Sequence, residues 1–292
     1  MSLRFLVLGV SGMAGHVIAR YLQERGHDVI GFSRRPTEFV PTLLGDATDR
    51  VSLTELVRKG RFDVIVNAIG ILNANAENNE SLAMYLNGDL PHFLVEISHD
   101  IPTRIIHMST DCVFAGNTGP YTEGSVPDGE SVYDRSKARG ELNDGKNITL
   151  RNSIVGPDIN KEGIGLFNWF MGQNGTVHGF KRALWTGMTT LELARAMEHV
   201  AIMGDTGLVN MVPPESISKY DLLGLFKKYF RGEDIVIVPD EGFVLDKTLV
   251  RTNFDSSFRP KPYEEQVADM AQWVRDHADL YPHYNLEAML DA

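Results

Sequence analysis

Tyr133 and Lys137 stand four residues apart in the run Tyr133-Asp134-Arg135-Ser136-Lys137. On a helix that spacing puts both side chains on one face. An ammonium beside a phenol favours the phenolate and draws its pKa down from about 10. Such a phenol can hand a proton to a carbonyl oxygen as hydride reaches the carbon. Thr110 follows the apolar segment Arg104 to Met108, in the run His107-Met108-Ser109-Thr110-Asp111-Cys112. There its hydroxyl can hydrogen-bond the same oxygen. A lone Tyr-x-x-x-Lys arises often by chance or by surface helix pairing, so its weight comes from what surrounds it.

The surroundings begin with Gly9-Val10-Ser11-Gly12-Met13-Ala14-Gly15, placed between an apolar strand and a helical pattern. Glycines there allow a tight turn and close approach of backbone to a pyrophosphate. The helix N-terminus adds free N–H groups and the positive end of its dipole. The spacing is Gly-x-x-Gly-x-x-Gly, where many dehydrogenases have Gly-x-Gly-x-x-Gly. The second strand ends in Phe32-Ser33-Arg34-Arg35, with no acid to take a ribose 2′-hydroxyl. Ser33, Arg34 and Arg35 suit a 2′-phosphate and favour NADP(H) over NAD(H); the alternative is a solvated basic turn. Asp46 and Ala47 are placed to meet adenine. Asn67, Ala68, Ile69 and Gly70 let the backbone pass the cofactor ribose.

These residues need a scaffold that gathers strand ends. Apolar strands at Arg4 to Gly9, Asp28 to Phe32, Leu43 to Asp46, Asp63 to Asn67, Arg104 to Met108 and Ile148 to Asn152 alternate with helical patterns. The helices run Met13 to Arg25, Val51 to Lys59, Ser81 to Ser98, its pattern interrupted by Pro91, and Tyr133 to Glu141. Short, nearly continuous apolar strands predict a parallel sheet buried on both faces. The fold class is α/β, a doubly wound Rossmann sheet with a smaller C-terminal lobe. Ligands of such sheets bind beyond the carboxyl ends of the strands.

The rhythm changes after Gly156, and Gly, Asn and aromatic residues cluster from Asn160 to Trp185, a segment that reads as loop-rich. Helical patterns follow at Leu191 to Ile202 and Ser218 to Tyr229, with a strand-like run at Asp234 to Val238. The expected division is a nucleotide-binding part over 1–155, rejoined by a segment around 186–212, and a substrate lobe over most of 156–292.

The net charge of −11 disfavours nucleic acid and anionic membranes as partners. One cysteine, Cys112, excludes an internal disulfide framework and fits a cytoplasmic setting. No apolar run reaches the roughly 18 residues of a membrane span. The start, Met1 to Val10, reads as a buried first strand rather than a signal peptide. The Asn147-Ile148-Thr149 triplet fits a glycosylation acceptor, without meaning in that compartment. The nine histidines lack metal-ligand spacing, so no metal is expected. Cys112 has no evident activating base and reads as pocket lining.

The whole chain resembles an extended short-chain dehydrogenase/reductase, and most closely the dTDP-4-dehydrorhamnose reductase family. The resemblance rests on Gly9-x-x-Gly12-Met13-x-Gly15, on Ser109 through Gly116, on Gly119-Pro120-Tyr121-Thr122-Glu123, and on Tyr133-x-x-Ser136-Lys137-x-x-Gly140-Glu141. It implies NAD(P)H-dependent reduction of the 4-keto group of a nucleotide-linked deoxysugar, in polysaccharide biosynthesis. It implies Thr110, Tyr133 and Lys137 as catalytic residues, with Asn87, Met108 and Ile154 beside the cofactor. At the substrate end it points to Asp111, Cys112 and Asn152; Lys181, Arg182 and Trp185 are placed to meet a nucleotide diphosphate, or form an ordinary surface turn. A homodimer is compatible with the pattern. Two positions depart from the family: Cys112 replaces an aromatic residue and Ile154 a tryptophan. Related dehydratases carry Asp-Glu after the threonine; Asp111-Cys112 disfavours that elimination. Two rival readings are a nucleotide-sugar epimerase and a non-catalytic NADP-binding regulatory subunit.

Overall fold

The computed structural model describes residues 2–254 and 256–286. From the N-terminus run β1 (Arg4–Leu8), α1 (Met13–Glu24), β2 (Asp28–Ser33), β3 (Thr42–Leu44), α2 (Arg50–Gly60) and β4 (Val64–Asn67). Next come α3 (Asn73–Asn78), α4 (Glu80–Ala83), α5 (Leu90–Ser98), β5 (Arg104–Met108), α6 (Val132–Arg139) and β6 (Ile148–Arg151). The remainder holds β7 (Ile154–Val155), α7 (Leu166–Met171), β8 (Gly175–Trp185), β9 (Met188–Thr189), α8 (Thr190–Met203), β10 (Gly207–Asn210), β11 (Ile217–Ser218), α9 (Lys219–Phe226), β12 (Ile235–Asp246) and α10 (Tyr263–Asp276).

Seven parallel strands form the main sheet in the order β10-β6-β5-β4-β1-β2-β3. The apolar run of β1 explains its central place. Phe5 and Val7 face one buried cluster, Leu6 and Leu8 the other. Successive strand residues point to opposite faces, so only a strand covered on both sides buries all four. Each such side chain is worth roughly 1.5–3 kcal/mol. The chain winds outward from β1 to β3, then returns to β4 on the other side. A crevice therefore opens beyond the carboxyl ends of β1 and β4.

β10 adds the outermost strand, against β6, and α8 packs on α1. A second sheet, β11-β8-β12, carries its own core with α7, α9 and α10: Phe167, Phe170, Phe226, Phe230 and Trp273 pack with Trp185 of β8.

Three expectations need correction. The helix expected over Ser81 to Ser98 is broken: a π-helical turn at Met84–Asp89 separates α4 from α5. Pro91 has no N–H for the Asn87 carbonyl four residues back, so the regular ladder cannot continue there. The loop-rich reading of 160–185 gives way to α7 and β8. The short strand at Asp234 to Val238 is the start of β12, which continues to Asp246. β12 pairs with β8 in parallel, with a register shift between Asp240 and Val244.

Candidate active site

The glycine loop has the geometry its spacing requires. Gly9 sits at φ +81°, and a Cβ there would lie 3.0 Å from the Ala68 backbone. A Cβ on Gly15 would lie 2.2 Å from the Gly9 carbonyl oxygen, so only glycine lets α1 start this close to β1. Gly12 caps α1 with no side chain, leaving the helix start open to an anion. Ser11 and Met13 are partly exposed, and Ala14 is buried. The Asn160 amide donates to the Ser11 carbonyl at 3.3 Å, so the segment after β7 reaches over this loop.

At the end of β2, Ser33 is buried and donates to the Arg35 carbonyl, while Arg34 and Arg35 are exposed. Asp46 accepts from the backbone and hydroxyl of Thr48, and those bonds, with a smaller pull from Arg34, hold its carboxyl below the usual range. Ala47 is buried, its carbonyl taken by the Tyr85 hydroxyl at 3.1 Å.

At the end of β4, buried Asn67 hydrogen-bonds His107 at 3.2 Å and accepts from the Ile69 amide at 3.3 Å. Ala68 and Ile69 are partly exposed and Gly70 exposed. Asn87, expected beside the cofactor, is fully buried and fully engaged. It accepts from the Ile71 amide and donates to the Ile71 carbonyl and the Ser136 hydroxyl, each at 2.9 Å. It acts as a clamp.

Ser131 starts α6 with a capping box closed by Asp134. This cap fixes the first turn, where Tyr133 sits, and Lys137 follows one turn later. Thr110 caps the short 3-10 turn Asp111–Val113, accepting from the Cys112 amide at 3.1 Å, and its hydroxyl donates to the Asp111 carboxylate at 3.2 Å, beside Tyr133. The Lys137 ammonium donates to the Met108 carbonyl. Burial draws Lys137 down to about 8, with Glu141 pulling it the other way. The expected depression of Tyr133 by Lys137 is not the balance found. Burial dominates and pushes the phenol up; Cys112, Asp111 and Asp134 add to this, and the nearby Thr110 hydroxyl opposes it. Tyr133 is held as the neutral phenol.

At the substrate end, Asp111 is buried and raised by burial, with Lys219 and Lys247 opposing. Burial and Asp111 push the Cys112 thiol up to about 12, which makes it inert as a nucleophile. Lys181 and Arg182 do not join Trp185 in one site. Arg182 points to the face opposite Trp185, and Lys181, on the same face but four residues away, is exposed over the Tyr220 ring at 5.6 Å while Trp185 is 3% exposed. Asn152 has an enclosed amide with no hydrogen-bond partner among the described residues. Ile154 lies in β7, paired with Met188 and packed on the core. Asn147 is buried, its amide oxygen taken by the Ile105 backbone at 2.8 Å, so it is a structural residue.

Sequence reasoning missed two residues here. Lys219 starts α9 and holds its ammonium 4.8 Å from the Trp185 ring centre; burial lowers it to about 8, with Asp111 opposing. Lys247 follows β12 and packs against Gly116. Both come from the lobe, over 100 residues from Asp111, and no local pattern connects them. Among the described residues no group of His, Cys, Asp and Glu could hold a metal. No helix among them is long and apolar enough to cross a membrane.

A doubly wound parallel sheet with this glycine loop, strand-end Ser-Thr and helical Tyr-x-x-x-Lys defines the extended short-chain dehydrogenase/reductase class. The chain belongs to the family whose model is described as the RmlD substrate binding domain, which matches residues 3–153. A relative from Haloferax volcanii, named "Probable low-salt glycan biosynthesis reductase", is 37% identical over 139 residues. That alignment spans 46% of this chain and 46% of the relative, about half the length of each. A structure described as a hypothetical dTDP-4-dehydrorhamnose reductase from Sulfolobus tokodaii is similar at TM-score 0.70 and 27% identity, covering 87% of this chain and 93% of that one. A dTDP-4-dehydrorhamnose reductase from Bacillus anthracis, in complex with NADP, shares the fold at TM-score 0.77 and 18% identity, covering 92% and 98%.

Proposed function

We propose that the protein reduces the 4-keto group of a nucleotide-activated deoxysugar, using NADPH. The observation that carries this reading is the buried grouping of Thr110 and Tyr133 at the carboxyl edge of the sheet, with Lys137 one turn along α6 and its ammonium on the Met108 carbonyl. The relatives support it: the names above are those of reductases, and one was solved with NADP.

The glycine cradle fits a dinucleotide, since a Cβ at Gly9 or Gly15 would fill it. Gly9, Ser11, Gly12, Met13, Ala14 and Gly15 would hold the pyrophosphate, Arg34 and Arg35 the 2′-phosphate, and Lys137 the nicotinamide ribose. Bound there, the nicotinamide supplies the hydride. Thr110 orients the substrate carbonyl oxygen by its hydroxyl. Tyr133 gives its phenolic proton to that oxygen. Its buried neutral state makes it the acid before reaction, and the Lys137 ammonium stabilises the tyrosinate left behind.

NADPH and NADH are offered with nucleotide-linked 4-keto deoxysugars, and both cofactor and sugar are followed. One NADPH oxidised per sugar is expected. Tyr133→Phe should bind NADPH normally and lose at least about 100-fold in kcat. A changed sugar with no net NADPH consumption would make the protein an epimerase. Unchanged turnover in Tyr133→Phe would overturn the mechanism.

A further inference from the structure

Glu141 lies just past the end of α6, four residues beyond Lys137. Its Oε1 accepts from the Ser109 hydroxyl at 2.6 Å and from Arg151 Nε at 2.7 Å; its Oε2 accepts from Arg151 Nη2 at 2.6 Å. The two side chains are 9% and 2% exposed. Arg151 spends its remaining donors on the Thr122 carbonyl and the Asn210 side chain, at 3.4 Å each. Its guanidinium lies 5.0 Å from the Phe114 ring centre, and Phe114 stacks on Tyr121. One buried ion pair thus joins α6, β5, β6, β10 and the loop carrying Tyr121.

Stability alone does not account for such a pair, because well-packed apolar residues of similar volume are often as stable. Its placement does. Ser109, bonded to Glu141, sits between Met108, whose carbonyl takes the Lys137 ammonium, and Thr110, whose hydroxyl meets Tyr133. The other groups around Lys137 give it no competing anion. His107 on β5 is buried and neutral. Asp89, on the helical turn packed against α6, is committed at the surface to Arg139. Arg151 on β6 is committed to Glu141, and Tyr133 is neutral.

We propose that Glu141 is a positioning residue: through its bond to Ser109 it fixes the strand end that carries Thr110 and the Met108 carbonyl to which the Lys137 ammonium donates. This rests on the reductase reading for its consequence, though not for its measurement. The negative charge of Glu141 acts on Lys137 through a buried, low-dielectric path, where a counter-charge is worth most. Its bond to Ser109 holds the oxygen-binding threonine at a fixed height relative to Tyr133.

The test reads Lys137 directly. Full-length protein labelled with 13C at the lysine ε-carbon is titrated by NMR, and Lys137→Arg assigns the signal. Two variants remove the anion: Glu141→Gln, and the double change Glu141→Met with Arg151→Met, which leaves no unpaired buried charge if the first fails to fold. Both should lower the Lys137 midpoint by about half a unit or more. Ser109→Ala, which keeps the Glu141 anion, should shift the midpoint less than Glu141→Gln does and cut kcat about tenfold at unchanged NADPH affinity. An unmoved midpoint in a cooperatively folding Glu141 variant, or full turnover in Ser109→Ala, overturns the proposal. Wild-type protein inactive on every 4-keto sugar would sink the reductase reading while the titration still decides the role of Glu141.

Discussion

Asn87 donates its side-chain amide to the Ser136 hydroxyl at 2.9 Å, and Ser136 sits on α6 between Tyr133 and Lys137. The same side chain holds both backbone polar groups of Ile71. One asparagine therefore ties the segment after β4 to the helix that carries the phenol and the ammonium. Gly140 completes the approach: a Cβ there would lie 2.0 Å from the Asn87 carbonyl oxygen. Asn87→Ala leaves the Ile71 groups and Ser136 without their buried partner. Urea denaturation should show a loss of about 2–3 kcal/mol; a change within about 0.5 kcal/mol would rule out the clamp.

Gly15→Ala tests the dinucleotide cradle. The new methyl would press on the Gly9 carbonyl, which is backbone and cannot swing aside. We expect a stability loss of about 1–3 kcal/mol and at least a tenfold weaker NADPH affinity by calorimetry. Wild-type affinity in this variant would place the cofactor elsewhere.

The arginines after β2 test cofactor choice. Replacing Arg34 and Arg35 together with alanine should weaken NADPH binding by about 10–100-fold, the worth of one or two charge-assisted hydrogen bonds. NADH binding should stay as it was. Equal losses for the two cofactors would mean that neither arginine reads a 2′-phosphate.

The two buried lysines give activity and stability opposite pH dependences. Lys137 and Lys219 are both drawn down to about 8, in each case by burial first. Between that pH and the usual value of about 10.4, the unfolded chain binds protons that the folded one has released. Their contribution to stability therefore grows as pH rises through this window, and below it they are a cost. Turnover should fall above about pH 8 as the Lys137 ammonium is lost. Lys219→Met should be more stable than wild type at pH 7 and should lose that advantage by about pH 10. Denaturant curves at the two pH values read the difference; an equal advantage at both would show that Lys219 titrates normally.

The sheet was legible because its strands are buried on both faces, so β1, β4 and β5 read as continuous apolar runs. The glycine loop and the Tyr133–Lys137 spacing were legible because each acts within one turn of chain. The lobe hid itself for the same kind of reason. β12 exposes Val236, Phe243 and Val244, so its outer half has no clean alternation. Lys219 and Lys247 reach Asp111 only through the folded lobe. Asn87 was placed near the site by resemblance, yet its clamp depends on a π turn that only Pro91 hinted at.

The late arrival of β10 and α8 has a consequence for synthesis. Ile148 and Leu150 of β6 lie in one buried cluster with Leu193, Met197 and Val209. A ribosome that has just released residue 155 has exposed β6 with no neighbour on its outer edge and no α8 beneath it. The nascent sheet must wait, greasy and half-covered, for some 50 further residues before its last strand docks. A chain stopped in that interval should bind chaperones or aggregate, whereas one released after Asn210 can close the sheet.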